Sequence, residues 1–393
     1  MVNRRSFLKK SGLAILPVLI PASPVQALEK INRHTTAGEN PVYFFGDGIM
    51  YEPSKYIQQL IQTNSKKPIE KDRYGTGGAV AELEKKFEEI TGKEKALFMP
   101  SGTMANQLAI AVLSDSNTKV FVQDTSHVYR DEADAAQSVF QKRLMPLAKN
   151  ETYFTAEALQ QAIETLQEQE VFTSGIGAVS IENPVRRTDG RMVPVEEIRK
   201  ISIYCRSKNI NLHLDGARIF MAAAWSGISI KEYASYFDTI YISLYKYLGA
   251  SAGAVLCGDI KVMEKMPHLI KIHGGSMYGN WTNAAMALQS MEGFEERLKE
   301  TVKKAELVFA ALNKIPGIHI STFDGGTNIY LMQLPKETDG RKMQEKLRND
   351  HQVWTGRPNE KNQILLTVNE TLLLKENDYL INAFTDAMKS AKS

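Results

Sequence analysis

What most limits the fold of this chain is the regular return of short apolar runs between helical stretches. Runs at 96–99, 120–122, 177–181, 212–215, 239–243 and 253–257 are rich in aliphatic and aromatic residues and alternate little, which is how strands buried on both faces read. Helical spacing separates most of them. Val80, Leu83, Phe87 and Ile90 recur at three and four residues, with Gly92 placed to end that helix, and 194–208 reads the same way. Strands alternating with helices imply an α/β fold, a mostly parallel sheet covered on both faces. Ligands of such sheets sit at the C-terminal ends of the strands. From about residue 290 the pattern changes. A charged helix through Arg297, Lys299, Lys303 and Lys304 leads to strands near 329–332 and 364–368, a smaller α+β part. Residues 28–72, punctuated by Pro41, Gly46, Gly48, Pro53 and Pro68, read as an irregular N-terminal arm. The expected organisation is therefore a leader at 1–27, the arm at 28–72, a large domain at 73–292 and a small C-terminal domain at 293–393.

The leader has a positive head with Arg4, Arg5, Lys9 and Lys10, an apolar stretch from Gly12 to Ile20, and a small-residue end at Ala27. That is the layout of a secretory signal. The apolar stretch is short and closed by Pro17 and Pro21, so no stable membrane anchor is expected. Arg4-Arg5-Ser6-Phe7-Leu8-Lys9 resembles a twin-arginine export signal, which implies a periplasmic protein exported after folding, with cleavage after Ala27. The whole chain of 393 residues has 48 basic and 45 acidic side chains, a net charge of +3. That balance gives no reason to expect nucleic acid or an anionic membrane as partner. Two cysteines, Cys205 and Cys257, make neither a disulfide framework nor a metal pattern and are expected to be buried apolar side chains.

Four segments at strand ends could carry chemistry. Ser101-Gly102-Thr103 stands where a strand turns into a helix; free N–H groups and the helix dipole make such a junction an anion site, although a serine there can equally be an N-cap. Asp215 ends an apolar strand, and a carboxylate buried there needs a positive partner. A protonated pyridine nitrogen would serve and would keep the ring an electron sink. Arg218, three residues on, could grip a substrate carboxylate; a structural Asp215–Arg218 ion pair is the plainer alternative. Lys246 follows a strand of Ile240, Ile242 and Leu244, and desolvation of its amine would favour Schiff-base chemistry over a solvated surface role. His127 lies just past another strand, where an imidazole could stack on a cofactor ring or simply be structural.

The combination resembles the threonine aldolase branch of the fold type I pyridoxal-phosphate enzymes, often grouped as β-eliminating lyases. The resemblance runs from about residue 42 to 290. It rests on Tyr74-Gly75 before Leu83-Glu84, on Ser101 to Asn106, on His127 with Glu132, on Ile181-Glu182-Asn183 with Gly190-Arg191, on His213 to Arg218, and on Lys246 with Leu248-Gly249-Ala250. It implies an aspartate aminotransferase-like large domain with a mainly parallel seven-stranded sheet, a small C-terminal α+β domain, and a homodimer or homotetramer with sites between subunits. It implies pyridoxal 5′-phosphate as cofactor: Ser101, Gly102 and Thr103 at the phosphate, His127 stacked on the ring, Asp215 at the ring nitrogen, Lys246 as the Schiff-base lysine, and Arg218, Asp47 and Tyr74 on the substrate side. The implied reaction is retro-aldol cleavage of a β-hydroxy-α-amino acid to glycine and an aldehyde, with His127 or a bound water as base. β-Elimination, racemisation or transamination remain open, as does a non-catalytic binding protein on the same fold. The substrate side departs from the family. Gly46-Asp47-Gly48 stands for its usual Ser-Asp-Thr, Leu365 for an arginine of the last strand, Tyr245-Lys246-Tyr247 for Ser-Lys-Gly, and Gly274-Gly275-Ser276-Met277-Tyr278 for Gly-Gly-Gly-Met-Arg. Arg357 is a possible substitute for the missing arginine. Weak, poorly saturating threonine cleavage is expected, with a better substrate held by aromatic contacts from Tyr245, Tyr247 or Tyr278.

Overall fold

The apolar runs fold into one seven-stranded sheet. A computed structural model describes residues 40–49 and 51–391; the leader and the start of the arm lie outside them. The strands are β2 (Lys95–Met99), β3 (Lys119–Gln123), β4 (Arg143–Leu147), β5 (Ile176–Glu182), β6 (Asn211–Asp215), β7 (Thr239–Ser243) and β8 (Ala254–Gly258), numbered after a short β1 (Val42–Phe44). Their order is β2-β8-β7-β6-β5-β3-β4, and only β8 runs against its neighbours. Every residue of β3, β7 and β8 is buried, as expected of a sheet covered on both faces. Gly92 ends its helix in the left-handed conformation at φ 67°. Cys205 and Cys257 are both buried and unpaired.

From Asn40 onward the chain forms one unit, with separate buried cores. The largest packs helices such as Gly78–Thr91 and Val195–Ser207 against the sheet. Another, toward the C-terminus, gathers the helices Phe294–Leu312 and Asn377–Ala391 around β9 (His319–Thr322), β10 (Ile329–Gln333) and β12 (Gln363–Thr367), which form an antiparallel sheet. Val42 and Phe44 of β1 belong to that second core, because β1 pairs in parallel with β11 (Val353–Thr355).

The arm is thus not irregular throughout. It holds β1 and a helix, Pro53–Lys66. Pro53, read as punctuation, occupies the first turn of that helix, where the missing N–H costs nothing. The edge strand β4 also escapes the sequence pattern, because Arg143 is exposed and Pro146 interrupts it. Among the described residues, no helix is long and apolar enough to cross a membrane.

Candidate active site

Strands β3, β5, β6 and β7 run in parallel, so their C-terminal ends bring Asp124, Glu182, Asp215 and Ser243 to one edge of the sheet. Just beyond them lie His127, Arg218 and Lys246. Facing them is the helix Gly102–Ser114, with Ser101 as its N-cap. The Ser101 hydroxyl accepts from Met104 N–H at 3.2 Å, so the cap role is realised. That bond uses one lone pair and leaves the hydroxyl hydrogen, together with the first-turn N–H groups, for an anion. At Gly102 a Cβ would collide with the hydroxyl of Tyr241 on β7. Only glycine lets the helix start this close to the sheet edge.

Asp215 is 2 % exposed. Its Oδ1 accepts from Ala217 N–H at 3.1 Å and its Oδ2 from Asn106 Nδ2 at 3.0 Å. No ion pair reaches it among the described residues. The plainer reading, an Asp215–Arg218 pair, is not what forms: Arg218 turns to Asp47 in a bidentate bridge of 2.6 and 2.9 Å. A buried carboxylate without a cation is costly, and here it marks a place for one. Lys246 is 9 % exposed, and its amine has no hydrogen-bond partner among the described residues. Burial, and then the neighbouring Arg218 guanidinium, pushes its pKa down to about 8.

His127 opens a four-residue helix that starts directly after Ser126, whose hydroxyl donates to the Gln123 carbonyl rather than capping the helix. Its Nδ1 lies 3.1 Å from Glu132 Oε1, and its backbone N–H donates to Glu182 Oε2 at 2.7 Å. The bond to Glu132 raises the imidazole pKa, against the opposing effect of burial. Glu182 is itself pushed up to about 7 by burial and by the Asp215 charge. Sequence reading placed Asn106, Glu132, Glu182 and His213 in motifs without giving them work. The structure joins them to the site by hydrogen bonds.

The departures from the family pattern have local causes. Gly46 sits at φ 74°, where a serine would be strained. At Gly48 a Cβ would lie 3.1 Å from the Lys246 carbonyl oxygen and 3.4 Å from Tyr247 Cα, too tight for a threonine. Tyr247 fills that space. It is 4 % exposed, and its hydroxyl donates to Asp47 Oδ1 at 3.4 Å. In this chain the small Gly48 thus leaves room for the Tyr247 backbone and ring. The expectation that Tyr247 offers an aromatic face to a substrate fails on this burial; Tyr245 and Tyr278 are exposed. Tyr74 is exposed too. It packs edge-on against Tyr278 with ring centroids 5.4 Å apart, and among the described residues no hydrogen bond joins it to Lys246 or Asp215. Arg357 lines a cleft of about 400 Å³ with Arg341, Arg348 and Trp354.

A desolvated lysine, a buried carboxylate lacking a cation and a helix N-terminus at one parallel-sheet edge define a fold type I pyridoxal-phosphate enzyme. The chain belongs to the beta-eliminating lyase family, whose model matches residues 55–334. It is 39 % identical over 212 residues to a low-specificity L-threonine aldolase of Candida albicans, covering 53 % of this chain and 56 % of that one. It is 33 % identical over 217 residues to an alanine racemase of Cochliobolus carbonum, covering 54 % of each. The chain thus spans just over half the length of these relatives. The structure of a threonine aldolase from Leishmania major superposes with a TM-score of 0.69 at 19 % identity, covering 90 % of this chain and all of the other. Enzymes of this family and fold work with pyridoxal 5′-phosphate, and the residues present fit it. Lys246 offers the amine, Asp215 an acceptor for the ring nitrogen, and the 101–103 turn a cradle for the phosphate.

Proposed function

We propose that the protein is a pyridoxal-phosphate-dependent aldehyde-lyase that cleaves a β-hydroxy-α-amino acid to glycine and an aldehyde. The observation that carries this reading is the pairing of a desolvated Lys246 with an Asp215 that lacks a cation, inside a family whose matched relatives include a threonine aldolase. When bound, the cofactor would supply an electron sink for the breaking Cα–Cβ bond. Lys246 would hold it through its desolvated amine and give way to the substrate amine. Asp215 would keep a proton at the ring nitrogen. Arg218, fixed by Asp47 through two bonds, presents its remaining N–H donors to the substrate carboxylate. His127 commits Nδ1 to Glu132, so Nε2 is the nitrogen free to take the β-hydroxyl proton.

Steady-state kinetics on threonine, allo-threonine and phenylserine test the reading. Glycine and the matching aldehyde should appear, with threonine saturating poorly and Arg218→Ala raising KM about ten- to a hundredfold, the range for losing a charge-assisted hydrogen bond. The carboxylate keeps its charge throughout, so the loss falls mainly on KM rather than on turnover. Full activity of Arg218→Ala would remove it as the anchor. The second reading, racemisation, is favoured by the alanine racemase match; D-alanine from L-alanine without any aldol cleavage would replace the first reading with it.

The protein is also proposed to be exported to the periplasm and to assemble as a homodimer or tetramer. The paired Arg4 and Arg5 support the first. The exposed Tyr74, Met277, Tyr278 and Trp281 support the second. Periplasmic extracts should hold a chain starting near Leu28 that elutes at a multiple of its own mass. Replacing both arginines by lysine should leave the precursor in the cytoplasm; unchanged export of that variant would point to another route.

A further inference from the structure

Asn106 lies mid-helix and is fully buried, which is unusual for a side chain with two donors and two acceptor lone pairs. Its Nδ2 donates to Glu132 Oε1 at 2.8 Å and to Asp215 Oδ2 at 3.0 Å, and its Oδ1 lies 2.9 Å from His213 Nε2. The orientation of the amide follows from its neighbours, because two carboxylate oxygens can only accept. His213 must then donate through Nε2, while Nδ1 accepts from Thr239 Oγ1 at 2.8 Å. Burial pushes the His213 pKa down to about 4, so the ring is neutral and has one proton to donate, as this arrangement needs.

We infer that Asn106 is a positioning residue of the active site, whose single amide nitrogen orients at once the carboxylate meant for the cofactor nitrogen, Asp215, and the carboxylate that holds His127, Glu132. Asn106 stands one helical turn beyond Gly102 and Thr103, about 5.4 Å along the axis. One rigid helix therefore offers its N-terminus to the phosphate and its first interior turn to the group facing the far end of the ring. The charged and titratable groups around the amide are Glu132, Asp215, His213 and, through Glu132, His127; Glu182 faces Asp215 across the β5–β6 pair. A buried asparagine kept only for the fold would need its hydrogen bonds satisfied but would have no effect on the cofactor. This inference rests on the reading of Asp215 as the ring-nitrogen partner.

The experiment is nitrogen NMR of the full-length protein loaded with pyridoxal 5′-phosphate labelled with ¹⁵N in the ring. Wild type should give a protonated ring-nitrogen signal, and Asp215→Asn should displace it. Asn106→Leu, which keeps the branching and heavy-atom count but removes the amide, and Asn106→Ser, a smaller variant that keeps one donor and guards against misfolding by the bulkier leucine, should both move the signal toward the unprotonated value. Turnover should fall about tenfold or more with KM nearly unchanged, as when one hydrogen bond to a charged group is lost. If wild type lacks the protonated signal, or Asp215→Asn leaves it in place, the reading of Asp215 fails. If those two controls behave and the ring-nitrogen signal of a folded Asn106 variant matches wild type, the inference about Asn106 is overturned, whatever its melting temperature.

Discussion

Lys246→Ala should fold, lose turnover by about 10³- to 10⁴-fold, and hold no cofactor after borohydride reduction and denaturation. The size follows from removing an activated nucleophile together with its proton-transfer work. The native protein should carry the reduced cofactor on Lys246, located by peptide mass spectrometry; a label on another lysine would refute the assignment. The same residue sets a pH dependence. Only the neutral amine reacts, and burial brings its pKa to about 8. Cofactor uptake by the apoprotein should therefore rise between pH 7 and 9 and then level off, rather than climbing on toward the ordinary lysine value of 10.5. The sign for stability is the same. The folded state gives up the proton before the unfolded chain does, so the apoprotein should gain stability as pH rises from about 8 to 10.5. In Lys246→Ala both pH effects should vanish.

How much of this was legible in the sequence depended on how local the signal was. The parallel strands could be read because burial on both faces makes them continuous apolar runs, as in β7, Thr239–Ser243. Lys246, Asp215 and Arg218 were legible because each follows such a run directly. The β1–β11 pair was not, since three residues near the start of the chain meet three near its end and neither carries a pattern alone. The helix Pro53–Lys66 lies between Pro53 and Pro68, which read as punctuation; Tyr56, Ile57, Leu60 and Ile61 do recur at helical spacing, yet none of its residues is buried. Asp47 and Arg218 are 171 positions apart, and nothing in either segment announces the other. Asn106 lies in a motif, Ser101 to Asn106, that gives the residue no role of its own. An asparagine within a helix normally faces water or weakens the helix, and its partners at 132, 213 and 215 become neighbours only once the sheet is built.

The Asp215→Asn variant tests the electronic half of the site, where the Lys246 variant tests the covalent half. Asp215 is buried beside Glu182 and Glu132 with no cation of its own, so the apoprotein carries a concentration of negative charge at this sheet edge. A protonated ring nitrogen answers it. Removing one partner of a buried charge pair costs about 3–5 kcal/mol, a factor of roughly 10² to 10⁴ at 1.4 kcal/mol per decade. Part of that should appear as weaker cofactor binding, and part as slower bond cleavage, because an unprotonated ring withdraws electrons less well. Turnover at saturating cofactor should therefore fall about a hundredfold or more, while the substrate KM, set by Arg218 on another element, should change little. An apoprotein of Asp215→Asn that is more heat-stable than wild type would fit the same account, since the substitution relieves repulsion with Glu182. Full turnover in this variant, with cofactor bound, would show that the ring nitrogen does not depend on Asp215.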